Sequence, residues 1–389
     1  MFILSCKLMK FKYFYLLLLI VGLSSAVQAQ QEKAEADFKS VMDKYSAVGA
    51  SVAVVKDGRI IYNHSFGLKD LEHQTPLNNQ DIFRIASISK SFSATAIMQL
   101  VEAGKISLDD DFGELVGFKV RNPKFPDQKI TLKMALSHTS GLNDSQGYLN
   151  FDVINPDKNP DWAKCYNDYA PGSKFDYCNL NFNMIGAVIE KISGERFDNY
   201  IKQHIIKPLD LYAGYCVDSL DSTRFVKLYE YHPDSKSYTL SSNAYAPRRT
   251  EIANYVMGYT TPVFSPTGGM KISAHDLARY MIMHMNYGTS DGVKIINRKS
   301  AKIMQTALSA DEGYGLAIMT ADDLIPGVKL KGHTGSAYGL HSTMFFSPKH
   351  KFGFVIITNG INATYTDGLP DFSRAAINSL YQSFFNHLK

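Results

Sequence analysis

The chain has 389 residues, of which 45% are hydrophobic and 20% charged, with a formal net charge of +4. This is enough apolar material for a substantial core, and the length allows more than one domain. The mild charge gives no basic footprint for nucleic acid, and no CxxC, His/Cys cluster of zinc spacing or HExxH occurs, so no metal or cofactor is expected.

The first element reads as a leader. Lys7, Lys10 and Lys12 precede an apolar run from Tyr13 to Leu23, and "SSAVQA" then places Val27 and Ala29 where a signal peptidase reads. The run is shorter than the ~20 residues of a membrane span. Residues 1–29 are therefore read as a signal peptide, with a mature chain from about Gln30 that is periplasmic or secreted and has no integral membrane segment. Met9 is an alternative start, because a complete signal follows it. Cys6 lies before the apolar core rather than after it, which argues against a lipoprotein site. Cleavage removes three lysines and no acid, so the formal charge falls from +4 to +1. Cys165, Cys178 and Cys216 remain. A Cys165–Cys178 disulfide would close a short loop suited to an oxidising compartment, and three free buried thiols fit equally well.

Residues 34–45 predict an amphipathic helix, with Phe38, Val41, Met42 and Tyr45 on one face. "ASVAVVKDGRIIYNHSFG" predicts a hairpin turning at Lys56-Asp57-Gly58. "FRIASISKSFSATAI", residues 83–97, opens a helix that stops at Gly104. From about 106 to 254 the chain is rich in Pro, Asn, Asp and Tyr, with short helical patterns such as "TLKMALS" and "NFNMIGAVIEKISG". "SPTGGMKISAHDLARYMIMHM" reads as a loop and a helix, with His275-Asp276 at the helix start. Strands return in "KLKGHTG", "HSTMFFSP" and "KFGFVIITNG", the last two joined at Pro348-Lys349-His350. A helix with Ala376, Leu380, Phe384 and Leu388 on one stripe closes the chain. The pattern predicts an α/β protein of the α+β type. A mainly antiparallel sheet built from both ends (about 30–105 and 255–389) is flanked by helices, with a helical, loop-rich insert, all in one domain.

The serine-rich segment 83–97 has a plain reading, since serine is a favoured N-cap. It also holds the only Ser-x-x-Lys of the chain, Ser87 and Lys90. On a helix three residues rise about 4.5 Å and nearly complete a turn, so the hydroxyl and the amine share a face. Lysine activates a serine hydroxyl when desolvation lowers its pKa, and burying a lysine one turn inside an apolar helix is costly without a role. A further acid/base would come from a Tyr-x-Asn triplet, either Tyr148-Leu149-Asn150 or Tyr177-Cys178-Asn179. The second is the better candidate, because "PGSKF" presents it on a turn and an apolar helix anchors it. A tyrosine beside Lys90 would have its phenolate stabilised and could shuttle protons. His333-Thr334-Gly335-Ser336 lies on a predicted strand, where the glycine lets another backbone approach. The similar His138-Thr139-Ser140-Gly141 reads as a helix-stop loop.

At these three elements the sequence resembles the serine β-lactamase and penicillin-binding superfamily, and within it the class C branch. "GASVAVVKDGRIIYNHSFGLKD", "ITLKMALSHTSGL" and "PGSKFDYCNLNFNMIGAVIEKISG" extend the likeness over about residues 34–360. The resemblance implies a β-lactamase/transpeptidase-like fold. It makes Ser87 the acylated nucleophile, Lys90 its base, and Tyr177 the partner that protonates the leaving group and activates water. It gives Asn179 the substrate's acyl-side amide and places His333, Thr334 and Gly335 on the leaving-group side. The backbone N–H groups of Ser87 and Ser336 would form the oxyanion hole.

Lys-Thr-Gly is usual in the β-lactamases of this branch, so His333 weakens a β-lactamase assignment. Histidine is largely neutral at pH 7 unless shifted, making a carboxylate anchor conditional. Ser241-Ser242-Asn243 lies too far from Ser87 to serve as a class A second element, and no Gly-x-Ser-x-Gly elbow occurs. The expected activity is hydrolysis of amide or ester bonds through an acyl-enzyme. The first expectation is a D-Ala-D-Ala carboxypeptidase-like or β-lactamase-related enzyme acting on small peptide or acyl substrates, such as peptidoglycan fragments or β-lactams. An esterase, a D-aminopeptidase or a non-turnover binder of wall peptides are the alternatives. The loops at 143–176 and 212–262 would choose among them.

Overall fold

The computed structural model describes residues 28–309 and 312–385. The signal-peptide reading, up to residue 27, and Leu388 lie outside the described residues. A helix over residues 28–44 (α1) leads into strands β1 (Gly49–Lys56), β2 (Arg59–Asp70) and β3 (Thr75–Pro76). Strand β4 (Phe83–Arg84) and a 3₁₀ turn, Ala86–Ile88, precede α2 (Ser89–Glu102). Beyond short helices and loops come α3 (Asn179–Ser193), β5 (Ala213–Gly214), β6 (Lys271–Ile272) and α4 (Ala274–Met285). Strands β7 (Met319–Ile325), β8 (Val328–Ala337), β9 (Leu340–Ser347) and β10 (Phe352–Thr358) and helix α5 (Asp371–Phe385) complete the order.

The hairpin glycines and turn residues act as expected. Asp57 (φ 49°) and Gly58 (φ 76°) both take left-handed backbone, the two-residue turn that matches strand twist. Residues 348–351 close the β9–β10 hairpin. The resulting seven-stranded sheet, β7-β8-β9-β10-β1-β2-β3, is antiparallel at every pairing.

Alternation along β1 divides two cores. Val52 and Val54 pack with Phe38 of α1 and Phe372, Ala376 and Leu380 of α5. Ala53 and Val55 belong to the larger core with Phe92, Ile185 and Tyr280 from α2, α3 and α4. That larger core continues into the helical region through Phe112, Leu136 and Phe151.

A second, three-stranded sheet has the order β4-β6-β5. Its two-residue strands are too short to show a period of two, and the loop expected before α4 hides β6. The three described cysteines are free and buried, so the Cys165–Cys178 disulfide does not form. Their thiols point to different acceptors, Cys165 to the Val153 carbonyl and Cys178 to Asp144.

Candidate active site

Ser87 sits on the 3₁₀ turn rather than in α2 itself. The turn runs directly into α2, and the i, i+3 spacing across that junction sets Lys90 Nζ 3.2 Å from Ser87 Oγ. Ala86, immediately before, has φ 46°, a conformation that costs a non-glycine residue about 1–3 kcal/mol and recurs at functional sites. The neighbouring serines are structural. Ser91 Oγ donates to the Ile88 carbonyl, Ser93 Oγ donates to the Pro266 carbonyl, and Ser89 Oγ accepts from Met270 N. The serine run is therefore one half-buried hydroxyl facing Lys90 and three buried tethers.

Lys90 is fully buried. Besides Ser87, its ammonium meets Asn179 Oδ1 at 2.8 Å and the Thr267 carbonyl at 2.9 Å. Burial pushes its pKa down to about 7, while the Asp144 carboxylate pulls it back up. Near neutral pH a large share of Lys90 is thus free amine, able to take the Ser87 proton. Asp144 also does the work of a missing cap. Cys178 offers no side-chain cap to α3, and Asp144 accepts from Asn179 N, Leu180 N and Asn179 Nδ2 at 2.9–3.0 Å. This fixes Asn179, whose Oδ1 also accepts from Thr267 Oγ1. One Nδ2 hydrogen remains for a substrate carbonyl.

Of the two Tyr-x-Asn triplets, the structure brings the second to Ser87. The Tyr177 ring centroid is 4.7 Å from Lys90 Nζ. The Tyr177 hydroxyl faces Ser87 closely enough to be influenced by it, yet it is buried without a closed hydrogen bond. Burial drives its pKa well above the ordinary phenol range. The stabilised phenolate expected from a lysine neighbour is therefore not the resting form, because desolvation outweighs the cation. Tyr148 makes no hydrogen bond to Ser87, Lys90 or Asn179, and exposed Asn150 caps the turn at Asp152.

Strand β8 closes the far wall. Gly335 is required there: a Cβ would lie 2.3 Å from the Ile85 carbonyl oxygen and 3.0 Å from Ser87 N. Ser342 Oγ also donates to the Ile85 carbonyl, binding the strand pair to the nucleophile turn. His333 is buried, with Nδ1 donating to the Thr334 carbonyl and Nε2 accepting from Tyr314 Oη at 2.8 Å. Burial lowers its pKa to about 4, so it is neutral with both nitrogens satisfied, and the conditional carboxylate anchor is absent at neutral pH. Ser87, Tyr177, Tyr314, His333, Thr334 and Ser336 line a cleft of about 330 Å³. The charged residues on its lining are Glu312 and Asp367, both exposed.

Sequence reading missed four contributors. Asp144, Thr267 and Tyr314 lie in loops, where only a polar turn ("LNDS", "SPTGG") or a tyrosine between two glycines marks them. His138 falls in the expected helix-stop loop but is buried, its ring centroid 4.2 Å from that of Tyr177. Its Nδ1 accepts from Cys178 N. No group of three or more His, Cys, Asp or Glu among the described residues could hold a metal ion.

With this geometry in place, the Beta-lactamase family model matches residues 34–371. The chain belongs to the Beta-lactamase family. It carries the β-lactamase/transpeptidase-like fold of the serine β-lactamase/penicillin-binding superfamily. Protein flp of Staphylococcus aureus (strain MW2) is 23% identical over 363 residues, 88% of this chain and 65% of that protein. This Beta-lactamase-family chain thus spans just under two thirds of the curated relative. Among solved structures, the octameric penicillin-binding protein homologue from Pyrococcus abyssi superposes with a TM-score of 0.71 at 27% identity, over 90% of this chain and 76% of that one. The D-amino acid amidase from Ochrobactrum anthropi SV3 gives 0.70 at 18%, covering 93% and 100%, a likeness of fold alone.

Proposed function

We propose that this chain is an exported hydrolase that cleaves ester or amide bonds through an acyl-enzyme on Ser87, with leaving groups that carry no carboxylate. The observation that carries the reading is the Lys90–Ser87 pair: a buried amine with a pKa of about 7, 3.2 Å from the hydroxyl. Free Lys90 takes the proton of Ser87 Oγ as that oxygen attacks the carbonyl carbon. The Ser87 and Ser336 N–H groups receive the charge that develops on the carbonyl oxygen. Tyr177, held protonated, donates to the departing oxygen or nitrogen, and the protonated Lys90 returns a proton to it. Water then attacks the ester on Ser87 with the roles reversed. Acid and base are separated by environment, one pKa lowered and one raised.

The leaving-group side favours the ester or amide alternative over the D-Ala-D-Ala carboxypeptidase or β-lactamase expectation. Both of the latter substrates present a carboxylate there, whereas His333 is neutral and the charges on the lining are acidic. Export rests on the leader pattern of residues 1–29.

The test is intact-mass spectrometry after adding penicillin, run beside hydrolysis of p-nitrophenyl butyrate. Ester turnover with neither a Ser87 adduct nor loss of penicillin is the expected result. A persistent adduct on Ser87, or rapid loss of penicillin, would overturn the leaving-group reading.

A further inference from the structure

On the other side of the nucleophile turn lies a second cavity, of about 180 Å³, whose lining includes Arg84, Arg248, Lys271, Tyr338 and Leu149. Arg84 and Lys271 face each other across the antiparallel β4–β6 pair, so their Cβ atoms are about 5 Å apart, an arrangement that is destabilising for like charges. Lys271 is 3% exposed, and its ammonium has one partner, the Tyr215 carbonyl at 2.6 Å. Arg84 is half-buried and bonds to the Gly268 and Ala244 carbonyls and to Ser265 Oγ, with Tyr338 against its guanidinium. Neither has a carboxylate partner among the described residues. The acids nearby are engaged elsewhere: Asp218 accepts from Arg248 N and Arg249 Nε, and Glu251 pairs with Arg248 Nη1. Burial, with the Arg84 guanidinium beside it, holds the Lys271 pKa well below the ordinary lysine range, so without an anion Lys271 stands as a neutral amine beside a cation, and the cavity they line with Arg248 leaves a place for an anion that would draw the proton back.

The cavity shares its wall with the active site. Within one turn, the Thr267 carbonyl accepts from Lys90 and the Gly268 carbonyl accepts from Arg84. A Cβ on Gly268 would sit 3.7 Å from Ala86 Cα. Arg84 precedes Ser87 by three residues, and Tyr338 follows Ser336 by two. None of the residues lining the His333 cleft lines this cavity. Exposed Leu149 and half-buried Tyr338 give it an apolar mouth.

We propose that Arg84, Lys271 and Arg248 form a subsite for a carboxylate carried on the acyl portion of the substrate. The inference rests on the acyl-enzyme reading above and narrows its substrates to hemi-esters and acidic acyl amides. Two measurements keep the two readings apart. Calorimetric titration of the full chain with glutarate tests the subsite without any turnover. Glutarate is expected to bind where butyrate does not, and Arg248→Gln to weaken it on the order of tenfold or more, the worth of a hydrogen bond to a charged group. Lys271→Met should weaken it similarly with little change in Tm, because a buried amine with a single hydrogen bond, to the Tyr215 carbonyl, is replaced by an apolar side chain of similar volume.

Kinetics supply the second measurement. The kcat/KM of p-nitrophenyl glutarate should exceed that of p-nitrophenyl butyrate, and Arg248→Gln should reduce that ratio by about tenfold. Equal binding of glutarate and butyrate would overturn the subsite. Binding of inorganic phosphate that depends on Arg248, with an ester ratio near one, would mark a free-anion site and equally overturn it. Failure to hydrolyse either ester while glutarate still binds through Arg248 would count against the acyl-enzyme reading alone.

Discussion

On the His333 side of Ser87 the histidine is neutral with both nitrogens bonded, and the charges, Glu312 and Asp367, stand in solvent. On the Arg84 side a guanidinium and a lysine are packed face to face with no acid between them, and the buried lysine keeps a single carbonyl partner. Both sides are walls of the same turn and strand, so the contrast is not one of stability. A buried histidine with both nitrogens bonded is at low cost whether or not a ligand comes. A buried lysine beside a guanidinium is costly to charge until an anion arrives. The difference suggests where binding energy is held in reserve, and it orders the experiments.

The largest effect is expected at the proposed nucleophile, Ser87, which lies between the two sides. Ser87→Ala should abolish covalent labelling by a fluorophosphonate and leave the melting temperature nearly unchanged. Labelling of any other residue would displace Ser87 from the centre of the comparison. Tyr177→Phe should lower kcat by about 10²–10⁴, the range for a lost general acid or base, with Tyr148→Phe far milder. The reverse order would move the catalytic acid toward the Arg84 side.

Placing a cation on the neutral side sharpens the contrast. His333→Lys should raise the rate of Ser87 acylation by penicillin by about tenfold, the worth of one charge-assisted hydrogen bond, as read by mass spectrometry. No change would show that the penicillin carboxylate does not meet this position. The pH profile gives the smallest effect. Lys90 must be the free amine to act, so kcat/KM should climb with rising pH through about 7. Asp144→Asn removes the charge that holds that value up, so the limb should move to lower pH. An unmoved limb would assign the titration to another group.

Much of this was legible in the sequence. The β-rich runs of β1, β2, β9 and β10, the Asp57-Gly58 turn and the Ser87–Lys90 spacing follow from local chemistry. So does the choice of Tyr177 over Tyr148, since the turn and helix around it set its position. Asp144 and Tyr314 were not legible, because each reaches its partner from a loop distant in sequence. β4 and β6 were missed for a related reason: two residues carry no period, and only their pairing makes them strands.

The sequence by itself determined the local hairpins, the helices and the Ser87–Lys90 spacing. These depend on residues within a few positions of one another, where backbone geometry fixes what meets. The tertiary structure alone decided the charge states and the alignments across the chain. Lys90 is poised near 7, Tyr177 stays protonated and His333 is neutral because desolvation depends on everything packed around them. The opposition of Arg84 to Lys271, 187 positions apart in the numbering, exists only once the two strands pair.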